Sequence, residues 1–263
     1  IYGGILKKYF FLIFVIAFAV CAAWSIGTDK SKPAHTDFSS SAPAPSFWQE
    51  PLAPLKEKSY PYLHFHEAME DHIKSIPMYV SIHLIPKDMR HAIVATEDRR
   101  FYEHGALDPI GIVRAIVVNF YSGSTVEGGS TISQQVVKNV FLSHERTFTR
   151  KAQEVVLAYL LEHYYTKDEI LEIYLNTAYF GANATGIYEA SEIYYDINPE
   201  KLRLSQASML AGLVQAPTYY NPLQNYDAAR ERQKIVLALM VEQGYISNTT
   251  AAEAYREHTG LKR

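Results

Sequence analysis

The sequence predicts an all-α domain, and three observations carry that expectation. Apolar residues recur at helical spacing through nearly every segment of the last roughly 200 residues. Residues that start and stop helices fall where that spacing begins and ends. No convincing alternating run marks a strand, short hairpin-like pieces around Met78 to Leu84 apart. The chain has 263 residues and no internal repeat, which is enough for one well-cored domain after a tail is set aside. A net charge of −3 gives no argument for nucleic acid, and Cys21, the single cysteine, excludes an internal disulfide framework. The 20 tyrosines suit a protein that works against sugars or at an interface, and prove neither.

Taken in order, the chain divides into residues 1–8, 9–26, 27–61 and 62–263. Tyr9 to Ile26 carries no charged residue and approaches a bilayer span, with Lys7 and Lys8 as anchors before it. A cleaved signal peptide is the rival, with small-x-small sites at Ala17-Phe18-Ala19 and Ala22-Ala23. The adopted reading is an uncleaved single transmembrane helix after a short cytoplasmic tail. Lys30 and Lys32 balance Lys7 and Lys8, so the shortness of the tail decides for an outward-facing domain. Gly27 to Pro61, centred on Ser39-Ser40-Ser41-Ala42-Pro43-Ala44-Pro45, reads as a flexible spacer.

Within the domain, Pro86 to Thr96 reads as a helix delivering Glu97 and Asp98 to its end. Such an acidic pair between two helix ends can serve general-base chemistry; alone, it is more often a solvated turn. Asp108-Pro109 opens the next helix, whose Ile112, Val113, Ile116, Val117 and Phe120 form a core face by default. Thr131 and Gln134 have capping-box spacing after Gly128-Gly129-Ser130, a loop able to approach an anion, and Lys138 lies one turn on. Arg150 to Tyr165 is helical, with Arg150, Lys151 and Glu154 able to share a face. Thr166 and Glu169 form a second capping box before Lys167 to Asn176. Tyr179-Phe180-Gly181 breaks that helix, and Thr185 to Tyr195 resumes it. Leu204 to Leu213 has small residues for close packing. Pro217 and Pro222 bracket Tyr219-Tyr220-Asn221, Asp227 to Gln243 is amphipathic and stopped by Gly244, and a short helix follows Ser247.

Five blocks in this order resemble the peptidoglycan glycosyltransferases of family 51, found alone or as the N-terminal module of class A penicillin-binding proteins. They are Glu97 to His104 with Asp108, Gly128 to Gln135 with Lys138-Asn139, Arg150 to Glu154, Lys167 to Asn176, and Leu204 to Pro217. Ala106 stands where the family often has glycine, and Gln153 where lysine is common. No Ser-x-x-Lys or Lys-Thr-Gly of a penicillin-binding transpeptidase occurs, so the alternatives are a monofunctional enzyme and a piece of a longer protein.

The resemblance implies a lysozyme-like helical fold with a small membrane-touching lobe, which favours lipid contact for Ile112 to Tyr121. It implies lipid II and the growing glycan strand as substrates, at a bacterial plasma membrane with the catalytic domain outside the cytoplasm. Membrane lipid and other cell wall synthesis proteins are the further expected partners; nucleic acid is not. Glu97 would be the base on the acceptor's 4-hydroxyl. Lys138, Arg146 and Arg150 would meet the leaving pyrophosphate, with Ser130, Thr131 and Gln135 adding hydrogen bonds. Asp98, Phe101, His104, Gln134, Asn139 and Lys151 complete the expected substrate-binding set. Glu154 would help hold a divalent cation, Mg²⁺ or Mn²⁺, on the pyrophosphate. Single displacement with one base implies inversion. A glycan-cleaving lytic enzyme of related fold and a catalytically silent membrane-anchored module are the alternatives.

Overall fold

A computed structural model describes residues 60–122, 128–142 and 147–262. The expected anchor at 9–26, nearly all of the spacer and the candidate cation Arg146 lie outside the described residues. Among the described residues no helix is long and apolar enough to cross a membrane. Residues 60–144 and 154–263 make one compact unit, and residues 147–153 belong to a second.

A helix the sequence reading did not assign, α1 (Phe65–Ser75), comes first, and the others follow the expected order: α2 (Lys87–Glu97), α3 (Pro109–Ser122), α4 (Ile132–Phe141), α5 (Phe148–Tyr164), α6 (Lys167–Thr177), α7 (Gly186–Tyr195), α8 (Leu204–Leu213), α9 (Tyr226–Glu242) and α10 (Asn248–Arg256). Both expected capping boxes form. Thr131 accepts from the Gln134 N–H while Gln134 Oε1 accepts from the Thr131 N–H, and Thr166 and Glu169 do the same. Each cap fixes where its helix starts, and such caps contribute about 1 kcal/mol.

α8 is the centre of the main unit. Every residue from Ser205 to Leu213 is buried, and α2 and α9 pack against it. α9 also packs on α2, and α4 packs on α6. The end of α2, where Glu97 sits, is thereby set by α8 and α9.

Three expectations are corrected. The all-α reading misses a two-stranded antiparallel ribbon, β1 (Tyr179–Gly181) with β2 (Ala184–Thr185), at the break after α6. Its turn places Ala182 and Asn183 at φ 49° and 61°, the left-handed geometry that a tight hairpin needs. Met78 to Leu84 holds no strand; a 3₁₀ turn, Ile82–Leu84, lies there instead. This segment is tied to α6 by side chains: Asn176 accepts from the Val80 N–H and donates to the Val80 carbonyl, both at 2.8 Å, and Glu172 accepts from the Ile82 N–H at 2.6 Å. Those bonds do the work of a partner strand. Finally, the default core face of α3 is solvent-exposed: Val113 is 61%, Ile116 63% and Phe120 83% accessible, while only Gly111 and Ala115 are buried.

Candidate active site

Glu97 is the last residue of α2, and its carboxylate accepts a 2.8 Å hydrogen bond from Gln135 Nε2 on α4. Burial pushes its pKa up. The Gln135 bond and the charges of Arg232 and Lys138 pull the other way, Asp98 adds to the rise, and the net shift is upward. A carboxylate so placed holds its proton more readily than one in water, the direction that suits a general base near neutral pH.

Asp98 does not share this role. It is buried, and its two oxygens are both engaged: Oδ1 with His104 Nε2 at 2.7 Å, Oδ2 accepting from the Ile132 N–H at 3.0 Å. The second bond falls on the first residue of α4, where a helix presents unpaired donors to an anion. His104 also bonds the Gly105 carbonyl through Nδ1 at 2.7 Å. Burial works against a charged ring here, but the bonds to Asp98 and Gly105 and the Asp98 charge outweigh it, and the pKa of His104 is raised. Polar side-chain atoms of Asp98, His104 and Asp108 lie within 4.8 Å of one another, and Arg100 Nε sits 3.6 Å from the Asp108 carboxylate. Asp98 and His104 form a clasp joining the end of α2 to the start of α4.

The remaining expected residues divide by exposure. Phe101 is fully buried, with the Lys167 ammonium 4.5 Å from its ring centre, and offers no surface to a ligand. Thr131 and Gln134 are buried in their capping box, and Thr131 also donates to the Ala106 carbonyl at 2.9 Å. Gln135, Lys138 and Ser130 are half-buried and Asn139 is exposed. Glu154, on α5, is 3% exposed. Arg150 and Lys151, in the first turn of α5, are half-buried and belong to the group of residues 147–153; Thr147 Oγ1 accepts from the Arg150 N–H at 3.1 Å.

Two residues beside Glu97 escaped the sequence reading. Arg232 on α9 is half-buried; burial works against its charge, while Glu97 and Tyr220 support it. Gly212 on α8 makes room for its stem, since a Cβ there would come within 2.9 Å of Arg232 Cγ. The available signal was a cation in register with Ala229 and Val236, on the buried stripe of α9. Tyr174 on α6 is fully buried, and its hydroxyl has no hydrogen-bond partner among the described residues. Burial and the Glu97 charge both raise its pKa, so it stands as a neutral phenol in the field of Glu97.

Comparison with known proteins shows the family to which the chain belongs. The family model described as Transglycosylase matches residues 67–241. Penicillin-binding protein 1A/1B of Bacillus subtilis is 53% identical over 172 residues, covering 65% of this chain and 19% of the relative. Penicillin-binding protein 1A of Aquifex aeolicus is 43% identical over 185 residues, 70% of this chain and 26% of the relative. Penicillin-binding protein 1A of Escherichia coli is 46% identical over 168 residues, 64% and 20% respectively. A crystal structure of penicillin-binding protein 1A from Haemophilus influenzae aligns with a TM-score of 0.43 at 21% identity, over 71% of this chain and 18% of that one. The chain thus spans about a fifth to a quarter of the length of these relatives. With the family match running across the helices that carry Glu97, Gln135, Glu154 and Arg232, the chain belongs to the transglycosylase family, the peptidoglycan glycosyltransferases.

Proposed function

We propose that the protein polymerises lipid II into glycan strands in bacterial cell wall synthesis, by inverting transfer with undecaprenyl pyrophosphate as leaving group. The observation that carries this reading is Glu97: a carboxylate with raised pKa at a helix end, hydrogen-bonded by Gln135 and in the field of Lys138 and Arg232.

In this reading the acceptor sugar's 4-hydroxyl attacks the anomeric carbon of the donor. Glu97 takes the hydroxyl proton as the new bond forms, the bond to the pyrophosphate breaks, and its electron pair leaves with the lipid pyrophosphate. Gln135 orients the Glu97 carboxylate. Lys138 meets the charge that grows on the leaving group. Glu154, a single buried carboxylate, suits Mg²⁺ or Mn²⁺ when the remaining oxygen ligands come from the pyrophosphate and water. Such an ion would supply positive charge to the departing phosphates. Protein at the outer face of the plasma membrane, anchored by residues 9–26, would share a two-dimensional phase with its substrate.

The test is incubation of the purified protein with labelled lipid II, resolving polymer from hydrolysed fragments. Glu97→Gln keeps the side-chain size and removes the base, so polymer formation should fall by about 10²–10⁴-fold with the circular dichroism spectrum unchanged. Near-parental polymerisation by that variant would remove Glu97 from the role of base, and cleavage of finished glycan without polymer would favour the lytic alternative.

A further inference from the structure

Lys167 is the first residue of α6, the end of a helix where a cation is disfavoured, because the unpaired N–H groups there already carry positive charge. Asp168 and Glu169 after it follow the usual preference; Lys167 breaks it. Its side chain is also turned inward, with 20% exposure. The ammonium donates to Glu162 Oε1 at 2.7 Å and lies 4.5 Å from the centre of the buried Phe101 ring. The stability of α6 does not explain this cation, and its neighbours do. We propose that Lys167 is a positioning residue for the Glu97 chemistry: held between Phe101 and Glu162, it fixes the first turn of α4 and so aims Gln135 at the base. The proposal deepens the reading of Glu97 as base and rests on it.

The path from Lys167 to Glu97 runs through one carboxylate. Glu162, near the end of α5, is largely buried, at 15% side-chain exposure. Its Oε1 takes two bonds, one from the Lys167 ammonium and one from the hydroxyl of Ser133, a fully buried residue in the first turn of α4. A charge so withdrawn from water keeps its place only when paired. Without Lys167 the carboxylate would turn toward solvent, and Ser133 would lose its partner. Gln135 stands two residues after Ser133, and its Nε2 reaches Glu97 at 2.8 Å. The first turn of α4 is thus held twice. Asp98 accepts from the Ile132 N–H on the side of α2, and Glu162 accepts from Ser133 on the side of α5. A helix end held by one bond can pivot about it; the second bond removes that freedom.

Phe101 closes the arrangement. Its N–H donates to the Asp98 carbonyl at 2.9 Å, so its ring is carried by the turn that follows Glu97. The ammonium against that ring ties the turn to α6. The capping box of Thr166 and Glu169 fixes where α6 begins, and with it the backbone of Lys167. Tyr174, in the field of Glu97, lies seven residues, about two turns, further along the same face of α6. One helix face therefore supports both the base and the helix that orients it. None of the bonds of Lys167 is to Glu97 itself, so its action on the base passes through α4 and the turn.

The experiment assays the full chain, in detergent micelles, on labelled lipid II. Lys167→Met, Lys167→Arg and Glu162→Gln are compared with the parent, and Lys167→Met and Glu162→Gln are repeated in a Gln135→Ala background. Circular dichroism checks each fold, and hydrogen exchange reads the amides of the first turn of α4. In Lys167→Met we expect an unchanged spectrum, faster exchange at that turn, and kcat lower by about tenfold to a hundredfold, the scale on which a misplaced catalytic group acts. Lys167→Arg can still pair with the carboxylate and lie on the ring, and should keep most of kcat. In the Gln135→Ala background Lys167→Met should cost little more, because the group it aims has gone. A merely structural lysine would instead give losses that multiply. Multiplying losses, or parental kcat in Lys167→Met, overturns the proposal. If Lys167→Met loses helical structure, Glu162→Gln, nearly the same size as the parent side chain, carries the same expectations; loss of structure in both variants overturns the proposal. Polymer from the parent with kcat and exchange unmoved in the variants sinks the positioning role and leaves the proposed activity standing. No polymer from the parent, with exchange at α4 still raised in Lys167→Met, sinks the activity and leaves the anchoring of α4 by Lys167.

Discussion

At the scale of single residues, the chemistry turns on how Glu97 shares its charge. Burial favours its protonated form, and Arg232 and Lys138 restrain that tendency. As the proposed base, Glu97 must be ionised to accept a proton, so kcat/KM on lipid II should fall as pH drops through its pKa. Because that pKa is raised, the acidic limb should lie above the range of an ordinary glutamate, about 4.3. Removing a restraining cation raises it further. In Arg232→Gln the limb should therefore shift to higher pH, and activity should recover at alkaline pH. A pH–rate profile checks this; a limb that stays in place, or moves down, would show that Arg232 does not act on Glu97. Glu97 was legible in the sequence because it stands at a helix end inside a full family block. Lys138 was legible because a capping box sets where α4 starts and places it one turn on, and Gln135 only through the resemblance of the Gly128 to Gln135 block. Arg232 was not, since one arginine in an amphipathic helix looks like any solvated cation until Gly212 is seen to make room for it. Tyr174 reads as one more apolar residue in α6, because nothing in its spacing shows which groups lie over its hydroxyl.

The element that places the site is the clasp between α2 and α4. Asp98 receives His104 on one oxygen and the first N–H of α4 on the other, so the helix carrying Gln135 and Lys138 is fixed against the helix ending in Glu97. His104 has a raised folded-state pKa, so its contribution to stability is fully present below the unfolded-state value of about 6.5 and is lost as pH rises through the folded-state value. The groups that set this are Asp98 and the Gly105 carbonyl in favour of the charged ring, and Lys167 and burial against it. Urea unfolding of the parent and of His104→Gln, repeated from acid to alkaline pH, should give curves that lie furthest apart at low pH and converge as pH rises. Curves that diverge with rising pH would mean that the charged ring is not what the clasp uses. Elements of this kind were only half visible in sequence. Helix starts at Thr131, Thr166 and Ser247 were legible because a cap is a local bond between neighbours. The Tyr179–Thr185 ribbon was not, because its turn uses Ala182 in a left-handed conformation that alanine seldom announces. Docking of Val80 on Asn176 was hidden for a different reason, the 96 residues that separate them.

For the molecule as a whole, the exposed face of α3 sets the next question. Ile110, Val113, Ile116, Val117, Phe120 and Tyr121 are all exposed, and such a contiguous apolar surface marks an interaction site. Periodicity could not tell this face from a core face, since both show the same spacing; only its neighbours decide, and here solvent takes their place. The polyprenyl chain of the proposed substrate makes a lipid surface the fitting occupant. The expected outcome is specific. With residues 1–27 deleted, the protein should keep its circular dichroism spectrum, because the core lies among residues 60–144 and 154–263. It should still float with anionic or neutral vesicles, and should turn over lipid II more slowly than the full chain. Val113→Asp with Ile116→Asp in that background should abolish flotation. Each buried aliphatic side chain contributes roughly 1.5–3 kcal/mol, so losing two lowers partitioning by about a hundredfold or more. Both residues are solvent-exposed, at 61% and 63%, so the double change leaves the fold intact. Unchanged flotation would show that α3 does not meet the bilayer. Flotation lost together with helical structure would show instead that the apolar face packs within the protein, and the pairing of spectrum with flotation separates these outcomes.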